Sequence, residues 1–208
     1  LIYTKLISSL KNARVFIIYG DDTLSEDYKL VQDKYLVLNV GDYYEDLSSK
    51  TLKMFEILDK HFPDCDGCIK CDDDIVPNVS SINTYIEWFL NNPTVKYAGR
   101  ISHNPASENF GCHYGKVWDA NYNRPMYVPT AQYCPGPLYY VNRESIRVLS
   151  QCEKREFIIA EDICVGYYLN HAGIFPTSTT LYTDNFHELN TISFQNVGNR
   201  YNIEWDKV

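Results

Sequence analysis

The chain has 208 residues, 45% of them hydrophobic, and a formal net charge of −8, a length that suits one domain able to bury a core. No run approaches the roughly 18 apolar residues of a membrane span, and the opening "LIYTKLISSLKNAR" is too polar for a signal peptide, so any anchor would lie outside this chain. No Lys/Arg cluster offsets the acidic balance, which argues against nucleic acid and anionic membrane as partners and requires local neutralisation of any anionic ligand.

In chain order, residues 13–20, "ARVFIIYG", are a short apolar run stopped by Gly20-Asp21-Asp22 and predict a buried strand with its turn. Residues 34–40, "KYLVLNV", predict a second strand, and "TLSEDYKLVQD" between them a short helix opened by Ser25. Leu52, Phe55, Ile57 and Leu58 recur at helical spacing across residues 48–61, and Pro63 stops that helix. "CIKCDDDIV" predicts a third strand, residues 80–92 a second amphipathic helix and residues 95–99 a fourth strand.

Residues 100–130 are rich in Asn, Tyr, Pro and Gly and read as long loops of the kind that carry function. "YCPGPLYYV" returns to strand character, "RESIRVLSQC" is helical, and residues 160–174 predict a last helix with acids at its start and Gly173 as its C-cap. Strands separated by helices argue for an α/β domain with a mostly parallel, Rossmann-like central sheet flanked by helices. Ligands in such sheets collect at the carboxyl ends of the strands, where Asp72, Asp73 and Asp74 would sit.

In an extended strand Asp72 and Asp74 share a face and Asp73 takes the other. Two like charges about 4 Å apart repel by roughly 4 kcal/mol at an effective dielectric near 20. One acid can be protonated, or a cation can sit between them; oxygen-rich sites of this kind suit Mg²⁺ or Mn²⁺ shared with a phosphate-bearing substrate. The seven cysteines are an odd number spread through the chain. They do not read as a disulfide framework, and Cys65, Cys68 and Cys71 lack a fourth ligand at metal-site spacing, so they read as buried, inert thiols.

Five short elements in order resemble the β-1,3-galactosyltransferase and Fringe family of inverting, nucleotide-sugar-dependent glycosyltransferases. The family's D-x-Y-x-N-L-T-x-K-T stretch is matched by Asp42, Tyr44, Leu47, Lys50 and Thr51, with Asp46 and Ser48 replacing Asn and Thr. The acidic triplet is matched by Asp72, Asp73 and Asp74, and a later Tyr-x-Gly strand by Tyr97 and Gly99. Tyr133, Gly136, Tyr140 and Val141 match Y-x-S-G-x-x-Y-V, with Pro135 and Pro137 as departures. Glu161, Asp162 and Gly166 match the Glu-Asp-Val-x-x-Gly helix start, with Ile163 for Val.

The resemblance implies one GT-A type catalytic domain over residues 1–208 and transfer of a hexose or N-acetylhexosamine from a UDP-sugar to a glycan hydroxyl, forming a β-1,3 linkage. The DXD-type triplet, above all Asp74, would hold Mn²⁺ (or Mg²⁺) against the diphosphate, with Asp72 and Asp73 supporting the ion and the ribose, and His187 completing the metal set. Lys50 and Gly136 would belong to the donor side, Lys50 reaching the phosphates. Asp162 matches the family's catalytic base by that resemblance; Glu161 beside it is the alternative, and because adjacent helix residues diverge by about 100° only one of the two can face the acceptor. Trp118, Tyr133 and Tyr139 are candidates for stacking on a sugar. A Golgi-lumenal setting follows from the resemblance if an anchor lies outside this chain, and a cytoplasmic one otherwise.

Two features depart from the family. Its Arg-rich "R-x-x-I-R-x-T-W" segment is not found before "ARVFIIYG", so the chain either lacks the first strand or replaces it with "LIYTKLISSL". The sequon Asn78-Val79-Ser80 lies close to the triplet, an awkward place for a glycan. Two other classes use the same carboxylates: a Ca²⁺-dependent carbohydrate-binding module without catalysis, and a glycoside hydrolase with paired acids.

Overall fold

The structure, a computed structural model, describes residues 9–72, 78–109, 125–153 and 160–181. The first apolar run forms β1 (Ile17–Gly20), and the segment expected as a short helix forms a strand, β2 (Tyr28–Val31), that folds back on β3 (Tyr35–Leu38). Its turn explains the difference. Lys34 N–H donates to the Val31 carbonyl at 3.1 Å, and Gln32 and Asp33 take φ of 52° and 56°, left-handed values that close a hairpin and interrupt a helix. β3 pairs parallel to β1 and antiparallel to β2, and its Leu36, Val37 and Leu38 are fully buried.

A 3-10 turn at Tyr44–Asp46 leads into α1 (Leu47–His61), which buries the expected Leu52, Phe55, Ile57 and Leu58. β4 (Gly67–Cys71) ends immediately before Asp72, so the acidic triplet begins where the strand stops rather than inside it. α2 (Val79–Asn91) is capped by Asn78, whose Oδ1 accepts the N–H groups of Ser80 and Ser81 at 3.1 and 3.2 Å. β5 (Tyr97–Gly99) follows as expected.

The stretch read as long loops contains three short strands, β6 (Ser102–Asn104), β7 (Ser107–Asn109) and β8 (Met126–Val128), and β9 (Ala131–Tyr133) follows directly after it. They pair as two antiparallel ribbons, β6 with β9 and β7 with β8. Residues 110–124 lie outside the described part. β10 (Leu138–Asn142) runs directly into α3 (Arg143–Ser150), and Arg143 turns back to cap α1, donating to the carbonyls of Asp59 and Phe62 at 2.9 and 3.2 Å. α4 (Glu161–His171) and β11 (Thr177–Ser178) complete the described elements.

The second sheet has the order β11-β5-β10-β4. β10 is antiparallel to both β4 and β5, and β11 is parallel to β5, so β4, β5 and β11 run one way with β10 reversed among them. The expectation of a mostly parallel sheet is corrected: among the described residues only β1–β3 and β5–β11 pair in parallel. A helical crossover makes β4 and β5 point the same way, but it does not make them adjacent, and β10 takes the place between them. Among the described residues the fold is therefore mixed α/β, with several sheets and four helices.

α4 packs tightly on β9 because Gly166 offers no side chain; a Cβ there would lie 2.5 Å from Tyr133 Cβ and 2.7 Å from the Gln132 carbonyl oxygen. Asn170 secures the same contact, accepting Gln132 N–H at 2.8 Å and donating to its carbonyl at 3.1 Å. The helix ends in a Schellman motif: Ile174 N–H reaches the Leu169 carbonyl at 2.8 Å and Gly173 N–H the Asn170 carbonyl at 3.0 Å. Gly173 takes φ of 75°, as its role as C-cap requires, and a Cβ there would meet nothing within 4 Å. Gly173→Ala should therefore lower stability by about 1 kcal/mol through backbone strain alone, read as a reduced urea midpoint with an unchanged m-value.

Candidate active site

Three segments meet just beyond the carboxyl end of β4. Register places Cys71 opposite Leu138, and Asp72 N–H extends that ladder by donating to the Pro137 carbonyl at 3.0 Å. The triplet thus begins against the Pro135-Gly136-Pro137 turn. The start of α4 reaches the same turn, where Gly136 N–H donates to Asp162 Oδ2 at 3.1 Å while Ile163 N–H donates to Asp162 Oδ1 at 2.8 Å. Both carboxylate oxygens are held by backbone, at a helix N-terminus that favours negative charge.

Lys70 lies at the centre. Two positions before Asp72 on a strand, it projects to the same side, and its Nζ binds Asp72 Oδ1, the Gly136 carbonyl at 2.7 Å and Glu161 Oε1 at 2.7 Å. Its cross-strand partner is Tyr139, whose ring centroid is 5.8 Å from the ammonium and whose hydroxyl donates to Glu161 Oε2 at 3.0 Å. Tyr97 packs edge-on against Tyr139, and its hydroxyl accepts Cys134 N–H at 2.7 Å. Gly136 is required by this convergence: a Cβ would lie 2.7 Å from Glu161 Oε1 and 3.8 Å from Asp72 Oδ2.

One lysine thus faces Asp72, Glu161 and Asp162, and the imbalance shows in their proton affinities. Burial works against the Lys70 charge, but Glu161 and Asp72 outweigh it and hold the ammonium well above the ordinary lysine value. Burial pushes Glu161 up to about 7, with Lys70 opposing and Asp162 and Asp72 adding to the rise. Burial also raises Asp162, against the two N–H groups that stabilise its anion.

Of the residues expected at the site, Asp72, Gly136 and Asp162 come together here. Lys50 pairs with Asp42 at the start of α1, inside the first matched stretch. Asp73, Asp74 and His187 lie outside the described residues, as does Trp118. Tyr139 is corrected as a sugar-stacking candidate: it is wholly buried, committed to Glu161 and Tyr97. Tyr133 packs half-buried against the core. His171 sits in the last turn of α4, its Nδ1 2.8 Å from the Tyr167 carbonyl.

Among the described residues no group of three or more His, Cys, Asp or Glu side chains could hold a metal ion. Of the expected ligand set only Asp72 is described; its carboxylate oxygens are hard donors of the kind a divalent cation takes, and one of them is bound by Lys70. Burial pushes Cys68 and Cys134 each up to about 12, and Cys65 donates to the Gly67 carbonyl at 3.0 Å.

Sequence reading passed over Lys70 and Glu161 as a pair. The available signal was a single cation in an apolar strand two residues before an acidic triplet. A family model described as Galactosyltransferase matches residues 19–180, which include Asp72, Gly136 and Asp162. No curated protein matches the chain.

Two outcomes follow from the buried charges. Lys70→Met leaves Glu161 without its cation and should cost about 3–5 kcal/mol, most of it regained in Lys70→Met/Glu161→Met; urea unfolding of both variants reads this. The Glu161 value rises from 4.5 when exposed to about 7 in the fold. The native state therefore binds more protons across that window, and stability falls as pH rises from about 4.5 to 7, by at most about 1.4 kcal/mol per pH unit from this group. Glu161→Gln should flatten that slope in unfolding curves recorded at successive pH values.

Proposed function

Since the chain belongs to the galactosyltransferase family, we propose that it moves a hexose or N-acetylhexosamine from a UDP-sugar to a hydroxyl of a glycan acceptor, inverting the anomeric centre and forming a β-1,3 linkage. Glycosyl transfer, with a sugar donor and a glycan acceptor, is what family membership supports. The finer reading rests on one observation: Asp162, its proton affinity raised by burial, is fixed by backbone N–H groups beside the residue that opens the acidic triplet.

Asp162 takes the proton of the acceptor hydroxyl as that oxygen attacks the anomeric carbon. Its raised proton affinity strengthens it as a base, and the two N–H bonds fix its direction. A single displacement from the face opposite UDP gives inversion. Glu161 does not compete for this role, because Lys70 and Tyr139 occupy its oxygens.

Asp72, Asp73, Asp74 and His187 would hold Mn²⁺, with Mg²⁺ as the substitute, and Lys50 reaches the phosphates by exchanging Asp42 for them. When bound, the ion supplies Lewis-acid stabilisation of negative charge on the leaving diphosphate. Gly136 holds the turn on the donor side, through its bonds to Lys70 and Asp162.

UDP release measured across a panel of UDP-sugars with Mn²⁺ and glycan acceptors tests this reading. The parent should release UDP with at least one donor, lose that activity on chelation and regain it with Mn²⁺. Asp162→Asn should lower turnover by roughly 10²–10⁴-fold with UDP affinity retained. Sugar binding without any UDP release would overturn the reading in favour of a carbohydrate-binding module, and release of free sugar from a glycoside without UDP in favour of a hydrolase.

A further inference from the structure

An ammonium group has three donors and no acceptor, and Lys70 directs them to three separate segments. Asp72 follows β4, Gly136 lies in the turn before β10, and Glu161 opens α4. Gly136 is engaged through both of its backbone polar groups: its carbonyl accepts from Lys70 and its N–H donates to Asp162 Oδ2. Lys70 therefore reaches both segments that flank the Asp162 carboxylate, the turn through the Gly136 carbonyl and the start of α4 through the Glu161 side chain. The same ammonium binds the first residue of the acidic triplet.

We propose that Lys70 is a positioning residue that sets Asp162 and Asp72 in one fixed relation, with Glu161 as its buried counter-ion. The roles of Asp162 and Asp72 in transfer rest on the function proposed above; the clamp rests on the hydrogen bonds. An ion pair that only held the fold together could be exchanged for a neutral pair without consequence for Asp162. Here the exchange loosens the Gly136 turn, because the carbonyl loses its cation and the N–H that orients Asp162 moves with it.

The test uses Lys70→Gln/Glu161→Gln, which removes both charges together and leaves neither buried alone. Amide hydrogen exchange followed by NMR reads Gly136 and Ile163, with the interior amides of α1 reporting global opening. In the folded double variant the Gly136 amide should exchange at least about tenfold faster while the α1 amides hold their parent rates. Turnover of UDP-sugar should fall roughly 10²-fold, with the donor KM little changed.

Lys70→Arg provides a second variant that keeps the charge: a planar guanidinium cannot meet the same three converging acceptors, so Gly136 exchange should rise there too. Parent-like exchange at Gly136 in either folded variant, a rise only in step with α1, or parent-like turnover overturns the proposal. If the parent transfers no sugar yet Gly136 responds as described, the transfer reading falls and the clamp stands; if the parent transfers sugar and Gly136 does not respond, the clamp falls and the transfer reading stands.

Discussion

Three carboxylates approach one turn in this fold, and one ammonium makes that convergence tolerable. Asp72, Glu161 and Asp162 come from two distant segments, and Lys70 sits among them with its charge held by Glu161 and Asp72 against the cost of burial. Without a cation there, bringing the end of β4, the turn before β10 and the start of α4 together would set three carboxylates against one another, one of them, Glu161, buried. Gly136 is the steric counterpart of this constraint. Any side chain at that position would enter the space of the Glu161 carboxylate.

The way the strands are arranged delivers these groups to one place. β10 lies between β4 and β5, which pairs Lys70 with Tyr139 and brings the Pro-Gly-Pro turn against the first residue after β4. Tyr139 then links the strand to α4 through Glu161. Gly166 and Asn170 press α4 onto β9, which fixes the angle at which the helix presents Glu161 to Lys70 and Asp162 to Gly136. The matched elements that look unrelated along the chain are thus parts of one contact network. Glycines at 136 and 166 serve close approach, and acids at 161 and 162 divide into a counter-ion and a carboxylate held by the turn.

That division bears on the chemistry of the galactosyltransferase family in this chain. Adjacent acids at a helix start look equivalent in sequence, yet one is locked by a lysine and a tyrosine and the other is bonded by backbone amides. The backbone-held acid keeps a defined direction, its oxygens bonded by amides rather than by the lysine. Lys50 shows a related economy: it is half-buried and paired with Asp42, within the first stretch that resembles the family.

Much was legible in the chain itself. The α1 stripe, the amphipathic α2, the Gly173 stop and the apolar β3 follow from local periodicity and stereochemistry, which act within a few residues. The ordered motifs also marked Asp72, Gly136 and Asp162, which the fold brings together. The helix expected over "TLSEDYKLVQD" was not legible, because pairing with β3 and two left-handed residues overrode a weak local preference. Nor was the reversal of β10 between β4 and β5: a crossover helix determines strand direction, while strand order depends on contacts made much later in the chain. Lys70 and Glu161 lie 91 positions apart. Residue type and spacing determined which acids and glycines the chain carries, but only tertiary structure decided which acid meets the lysine, since burial and charge pairing exist only once distant segments have closed on one another.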